Sequence, residues 1–99
     1  MMNLVTFVGK IIDFENQENK TIVEIKVPRN YKNKEGFYED DYIQICLYDS
    51  ISENFKNYCN KGDIIGIKGS IRTQKDKSIE IVADKITFLS SKVNDGEVE

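Results

Sequence analysis

The sequence predicts an all-β domain, a five-stranded Greek-key barrel with one short helix between strands 3 and 4. Three observations carry this expectation. Five stretches rich in β-branched and aromatic residues alternate apolar with polar side chains, polar turns separate them, and a single segment after the third has its apolar residues at helical spacing. At 99 residues, with 39% hydrophobic and 31% charged side chains, the chain has room for one hydrophobic core and not for two.

Strand 1 spans Asn3 to Ile12, with Val5, Phe7, Gly9 and Ile11 on one face and Thr6 and Lys10 on the other. Polar residues 15–19 turn the chain. Strand 2, Thr21 to Val27, directs Val23, Ile25 and Val27 one way and Glu24 and Lys26 the other. Pro28, which has no N–H for a ladder, is expected to end it, and Pro28 to Asp40 then forms a long polar connection carrying Tyr31, Phe37 and Tyr38. Connections of this length are commonly functional or disordered.

Strand 3 runs from Asp41 to Tyr48, with Ile43, Ile45 and Leu47 on the core face and Tyr42, Gln44, Cys46 and Tyr48 opposite. The helix is expected over Asp49 to Asn60: Ser50-Ile-Ser-Glu53 fits a capping box, Ile51, Phe55, Tyr58 and Cys59 follow at helical spacing, and Gly62 is a stop signal. Strand 4, Asp63 to Arg72, groups Ile65, Ile67, Gly69 and Ile71, and a bend over Thr73 to Ser78 leads to strand 5, Ile79 to Leu89. Five strands with one helix between the third and fourth is the order of the OB-fold, a five-stranded Greek-key barrel whose face and loops commonly bind oligonucleotides. Residues 1–91 are expected to form this domain and residues 92–99 a short, acidic, disordered tail.

Charge needs partitioning before it is used. Fourteen basic against seventeen acidic residues give a net charge of −3, on its face adverse to a nucleic-acid partner. Asp95, Glu97 and Glu99 account for all of it, so residues 1–92 hold 14 of each sign. The sign belongs to the tail, which would compete with a polyanion if it folded over cationic loops. No apolar run approaches the length of a spanning helix and no signal-peptide pattern opens the chain, so a cytoplasmic protein without a membrane partner is expected.

The absence of histidine removes the commonest general base and metal ligand, and Cys46 and Cys59 lack the close spacing of zinc or redox pairs. A non-enzymatic protein without metal or cofactor is expected, its cysteines packed as small buried thiols. A core this small commonly gains stability by oligomerisation, so a homo-oligomer is expected as well.

Single-stranded nucleic acid is held by aromatic platforms beside a cationic track. Tyr42 and Tyr48 stand opposite the isoleucine face of strand 3: Tyr42 is either a stacking platform or a surface or interface tyrosine, and Tyr48 either stacks or caps the barrel end. Between Lys20 and Lys34, the cations Lys20, Lys26, Arg29, Lys32 and Lys34 outnumber Glu24, with Tyr31 among them. A second cluster, Lys68, Arg72, Lys75 and Lys77 against Asp76, lies along strand 4 and the following hairpin. Such runs also occur as plain solvated loops. Lys10 projects from the wet face of strand 1. Against these stands an acidic group, Glu35, Glu39, Asp40 and Asp41, beside Phe37 and Tyr38, which point either outward or into the core.

Asn3-Leu-Val-Thr-Phe-Val-Gly-Lys10 and Asp41-Tyr-Ile-Gln-Ile-Cys-Leu-Tyr48 resemble the opening and third strands of the bacterial single-stranded DNA-binding protein family. Tyr58-Cys-Asn-Lys61-Gly62, Gly66 to Thr73 and Glu80 to Leu89 are similar to its helix end and last two strands. The resemblance covers about residues 3 to 89. It implies an OB-fold that binds single-stranded DNA without sequence preference, as a homo-oligomer (tetramer or dimer), in replication, recombination, repair or plasmid and phage transfer. It implies stacking on Tyr42, Tyr48 and Tyr31. A further family aromatic in the strand 4–5 hairpin has no counterpart, since Asp76 stands near its place. The end, Asn94 to Glu99, is acidic without the family's Pro-Phe terminus, so recruitment of replication proteins through a C-terminal tip does not carry over. The alternative is an OB-fold primosome-like or mobile-element adaptor whose tyrosine face binds a protein.

Overall fold

Alternating apolar residues close a sheet on itself when each strand has one face to hide. The computed structural model describes residues 1–90, so the expected tail lies outside the described residues. Its elements are β1 (Val5–Asn16), β2 (Lys20–Lys32), β3 (Tyr38–Tyr48), α1 (Asp49–Tyr58), β4 (Ile64–Thr73) and β5 (Ile79–Ser90). The strands form a closed barrel in the order β1-β2-β3-β5-β4. All neighbours are antiparallel except β3 and β5, which meet in parallel at Cys46 and Val82.

The inward residues are those the alternation selects. Ile11, Val23, Ile25, Ile45, Leu47, Ile65 and Ile67 are buried together with Ala83 and with Phe55 and Cys59 at the helical end. Helix α1 plugs one mouth of the barrel: the Phe55 ring meets Phe14 edge to face, centroids 5.1 Å apart, and the buried Ser52 and Thr21 hydroxyls hydrogen-bond at 2.6 Å. Both cysteines are free and buried. Cys46 is on the outward side of β3, and it is buried because β5 closes against β3 there.

Two local expectations are corrected. Strand β2 does not end at Pro28 but runs on to Lys32, and β3 begins at Tyr38, so the long connection is mostly a two-stranded arm. Pairing with β1 stops at Lys26, which leaves β3 as the sole neighbour of β2 at Pro28, and the β2–β3 register shifts between Pro28 and Lys32. Proline is tolerated at such edges and irregularities. The capping box also does not form: the helix begins at Asp49 with Tyr48 as the N-cap and no side-chain capping bond, so Ser50 lies inside the first turn rather than at its start. The helix ends at Tyr58, and Gly62, at φ 93°, serves the turn into β4, where its N–H donates to the Ile11 carbonyl.

Candidate nucleic-acid interface

The outward wall of β1, β2 and β3 is built by register. Lys10 pairs with Lys26, and Lys26 pairs with Tyr42, so two cations and an aromatic form one row straight across three strands. Tyr42 is 57% exposed, its ring open to solvent on the face opposite Ile43 and Ile45. Two further lysine–tyrosine pairs lie on the same ribbon: Lys20 opposite Tyr48 and Lys32 opposite Tyr38. Each lysine ammonium stands near its tyrosine ring, 5.3 Å from the Tyr48 centroid and 5.7 Å from that of Tyr38, within cation–π range.

Tyr48 is half-buried, with its hydroxyl engaged. It donates to Glu80 Oε2 at 2.7 Å, Gln74 Nε2 donates to Glu80 Oε1 at 2.8 Å, and Lys20 Nζ is 3.6 Å from the same carboxylate. Hydrogen bonds from Cys46 and Tyr48 hold the Glu80 carboxyl below the usual glutamate range. The bond to Glu80, reinforced by burial, pushes the Tyr48 hydroxyl up. Burial, with Glu80 nearby, pushes the Cys46 thiol up to about 11. Tyr48 therefore fastens β3 to β5 where the barrel closes, nearer to the expected cap than to a free platform.

The arm sorts its charges by face. Arg29 donates to both oxygens of Asp41, the shortest bond 2.9 Å, and to Glu39 at 2.8 Å. The Arg29 guanidinium lowers the Asp41 carboxyl below its ordinary range and is itself held charged by that carboxylate. Alternation puts Glu39 and Asp41 on the face away from Tyr38, Asp40 and Tyr42. Of the four acids beside the arm, two are thus tied by Arg29, whose fork is turned inward on them rather than left for phosphate. Tyr31 is exposed, but alternation from Lys32 turns it to the face opposite Tyr38. Phe37 and Tyr38 are both exposed, which settles their orientation as outward. The arm ends in a tight turn: Asn33 Oδ1 accepts from the N–H groups of Glu35 and Phe37, and Gly36 sits at φ 87° with Lys34 exposed beside it.

The second cationic cluster lies apart from the Tyr42 row. Lys68 is exposed between Thr6 and Lys85 on the β1–β4–β5 wall. Arg72 pairs with Glu80 and shares a shallow groove with Tyr48. Lys75 and Lys77 are exposed on the hairpin, where Asp76 Oδ1 accepts from the Ser78 N–H and hydroxyl and so shapes the turn. Glu80 and the pairing of Lys32 with Tyr38 are what sequence reasoning misses: lysines at 20, 26 and 32, six apart, are the signal for the pairing, and Glu80 has no local signal.

Parallel closure at β3–β5 and a helix plugging the mouth place the molecule in the OB-fold class. Within it, similarity from residue 2 to residue 89 makes this chain a member of the single-strand binding protein family. The single-stranded DNA-binding protein of Oceanobacillus iheyensis is 33% identical over 110 aligned positions, taking in 97% of this chain and 68% of that protein. A small single-stranded DNA-binding protein from Mycoplasma pneumoniae superimposes with a TM-score of 0.64 at 25% identity, over 87% of this chain and 85% of that one. The dimeric N-terminal domain of PriB from Thermoanaerobacter tencongensis shares the fold, with a TM-score of 0.65 at 22% identity over 90% and 98% of the two chains. Among the described residues, no helix is long and apolar enough to cross a membrane.

Proposed function

We propose that this chain binds single-stranded DNA without sequence preference, stacking bases on Tyr42 and drawing the phosphates along Lys10 and Lys26. The continuous Lys10–Lys26–Tyr42 row is the observation that carries the reading, because it sets cations beside an open aromatic face on a strand wall. Tyr48 offers a ring edge at the barrel seam, Tyr31 a ring on the reverse face of the arm, and Lys32, Lys34, Lys68, Arg72, Lys75 and Lys77 supply the flanking field. Arg29 acts through the carboxylates it neutralises. Residues 1–91 are the binding domain, acting in the cytoplasm to protect or organise exposed strands in replication, recombination, repair or plasmid and phage transfer.

The functional unit is a homo-oligomer, a dimer or tetramer. Support comes from apolar surface on the β1–β4–β5 wall: Val8 pairs with Gly66, Leu89 Cδ1 lies 3.7 Å from the position of a Cβ on Gly66, and both Val8 and Leu89 are exposed. Titration with dT oligomers beside duplex DNA and RNA, with solution mass measured in parallel, tests both statements. A tight, strand-selective complex of an oligomer is expected. Equal, weak binding to all three nucleic acids would favour the adaptor reading, in which the tyrosine face receives a protein.

A further inference from the structure

The three lysine–tyrosine pairs on the β2–β3 ribbon follow one rule, and one of them lies beyond the barrel. Lys20, Lys26 and Lys32 recur every six residues on β2, facing Tyr48, Tyr42 and Tyr38 in turn. The extra residues of β2 between Pro28 and Lys32 absorb the different spacing on β3 without breaking the face, since 38, 42 and 48 share parity. Tyr38 is 61% exposed, as open as Tyr42, and lies four residues farther out, about 13 Å at strand rise.

We propose that Tyr38 and Lys32 form an additional nucleotide-binding step, extending the single-strand track from the Tyr42 row onto the β2–β3 arm. The inference rests on the single-stranded DNA reading above and adds Tyr38 to it, with Lys32 given a defined partner. Tyr38 supplies a ring face for a base while Lys32, over its other side, supplies the positive charge for a neighbouring phosphate. The arm is built to present them. Asn33 closes its turn with two backbone bonds to Oδ1, and its Nδ2 donates to Glu39 at 3.0 Å. Arg29 clamps Glu39 and Asp41 on the reverse face. These contacts fix the arm before a ligand arrives, which lowers the ordering cost of binding. Asp40 is the one carboxylate on the tyrosine side between Tyr38 and Tyr42, opposite Pro28.

The test compares the full chain with Tyr38→Ala, Tyr38→Leu and Tyr38→Phe, using fluorescence anisotropy on dT oligomers of graded length. Wild type and Tyr38→Phe are expected to gain affinity as the oligomer grows long enough to reach the arm. Tyr38→Ala and Tyr38→Leu are expected to lose about tenfold on the long oligomers and little on the shortest. Lys32→Ala should lower the slope of log K against log salt by about 0.7. Leucine binding like wild type would mean that apolar bulk holds the arm together and would overturn the stacking step, as would a Tyr38→Ala protein unaffected at every length. If wild type itself bound no dT oligomer, the single-stranded DNA reading would fall first and this step with it.

Discussion

The Tyr48 hydroxyl donates to the Glu80 carboxylate at 2.7 Å, bridging β3 and β5 where the barrel has a single parallel backbone pairing to close it. Lys20 and Gln74 converge on the same carboxylate, so side chains from β2, β3 and the β4–β5 hairpin meet at one residue of β5. The seam thus rests on side-chain chemistry where the ladder is sparse.

Glu80→Gln is expected to weaken the seam in a pH-dependent way. Because its hydrogen bonds lower the Glu80 pKa from the ordinary 4.5, the native state binds the proton less readily than the unfolded chain. Its contribution to stability is full above that ordinary value and is lost as pH falls through the lower native one. Urea melts from pH 7 downward should show wild type losing stability over this range and Glu80→Gln starting lower with a flatter profile. Tyr48→Phe, which deletes the donor alone, should cost about 1 kcal/mol at pH 7.

Tyr42→Ala is expected to weaken oligo(dT) binding about tenfold or more while leaving the melting midpoint nearly unchanged, because the ring is exposed and contributes contact area to a base rather than to the core. Lys26→Ala, beside it, should act on the salt dependence, lowering the slope of log K against log salt by about 0.7. Titrations at several salt concentrations separate the two effects.

Arg29→Ala is expected to weaken binding even though its guanidinium points at carboxylates, since its removal leaves Glu39 and Asp41 uncompensated on the reverse face of the arm and makes the field around the strand path more negative. Combining it with Glu39→Gln and Asp41→Asn should recover most of the loss. A simple phosphate contact by Arg29 predicts no recovery, and anisotropy at low salt distinguishes the two. The stability cost should be small, as for other exposed ion pairs, and a urea melt checks it.

Strand order and core face are legible in the sequence because alternation is a local property: Val23 and Ile25, or Ile45 and Leu47, must face inward wherever their strand pairs. The arm is not legible in the same way. Proline argues for a strand end, and only the tertiary fact that β1 departs at Lys26 removes that argument. Once β2 is ended at Pro28, Lys32 and Tyr38 fall into a loop and their pairing is hidden. The capping box fails because the helix starts directly from the end of β3, with Tyr48 as N-cap, which leaves Ser50 inside the first turn. Tyr42 and Lys26 are individually visible as outward residues, but their adjacency, like the reach of Tyr48 to Glu80, depends on register and closure.

Gly69→Ala is expected to destabilise the barrel strongly, and Gly66→Ala, three residues away on the same strand, hardly at all. A Cβ at Gly69 would collide with the Val82 carbonyl oxygen and come within 3.1 Å of the Ala83 Cα, both backbone atoms of β5 at the point where the β4–β5 register shifts. Backbone at a sheet seam cannot swing aside as a side chain can, so the added methyl forces β4 and β5 apart, at about 1–3 kcal/mol for overpacking of this kind. At Gly66 the nearest atom is the flexible tip of Leu89, 3.7 Å away, an ordinary contact. Denaturant midpoints of the two variants should differ accordingly. Equal midpoints would mean that β5 can shift relative to β4, which would also loosen Glu80 from Tyr48, because Glu80 pairs with Arg72 on this same ladder.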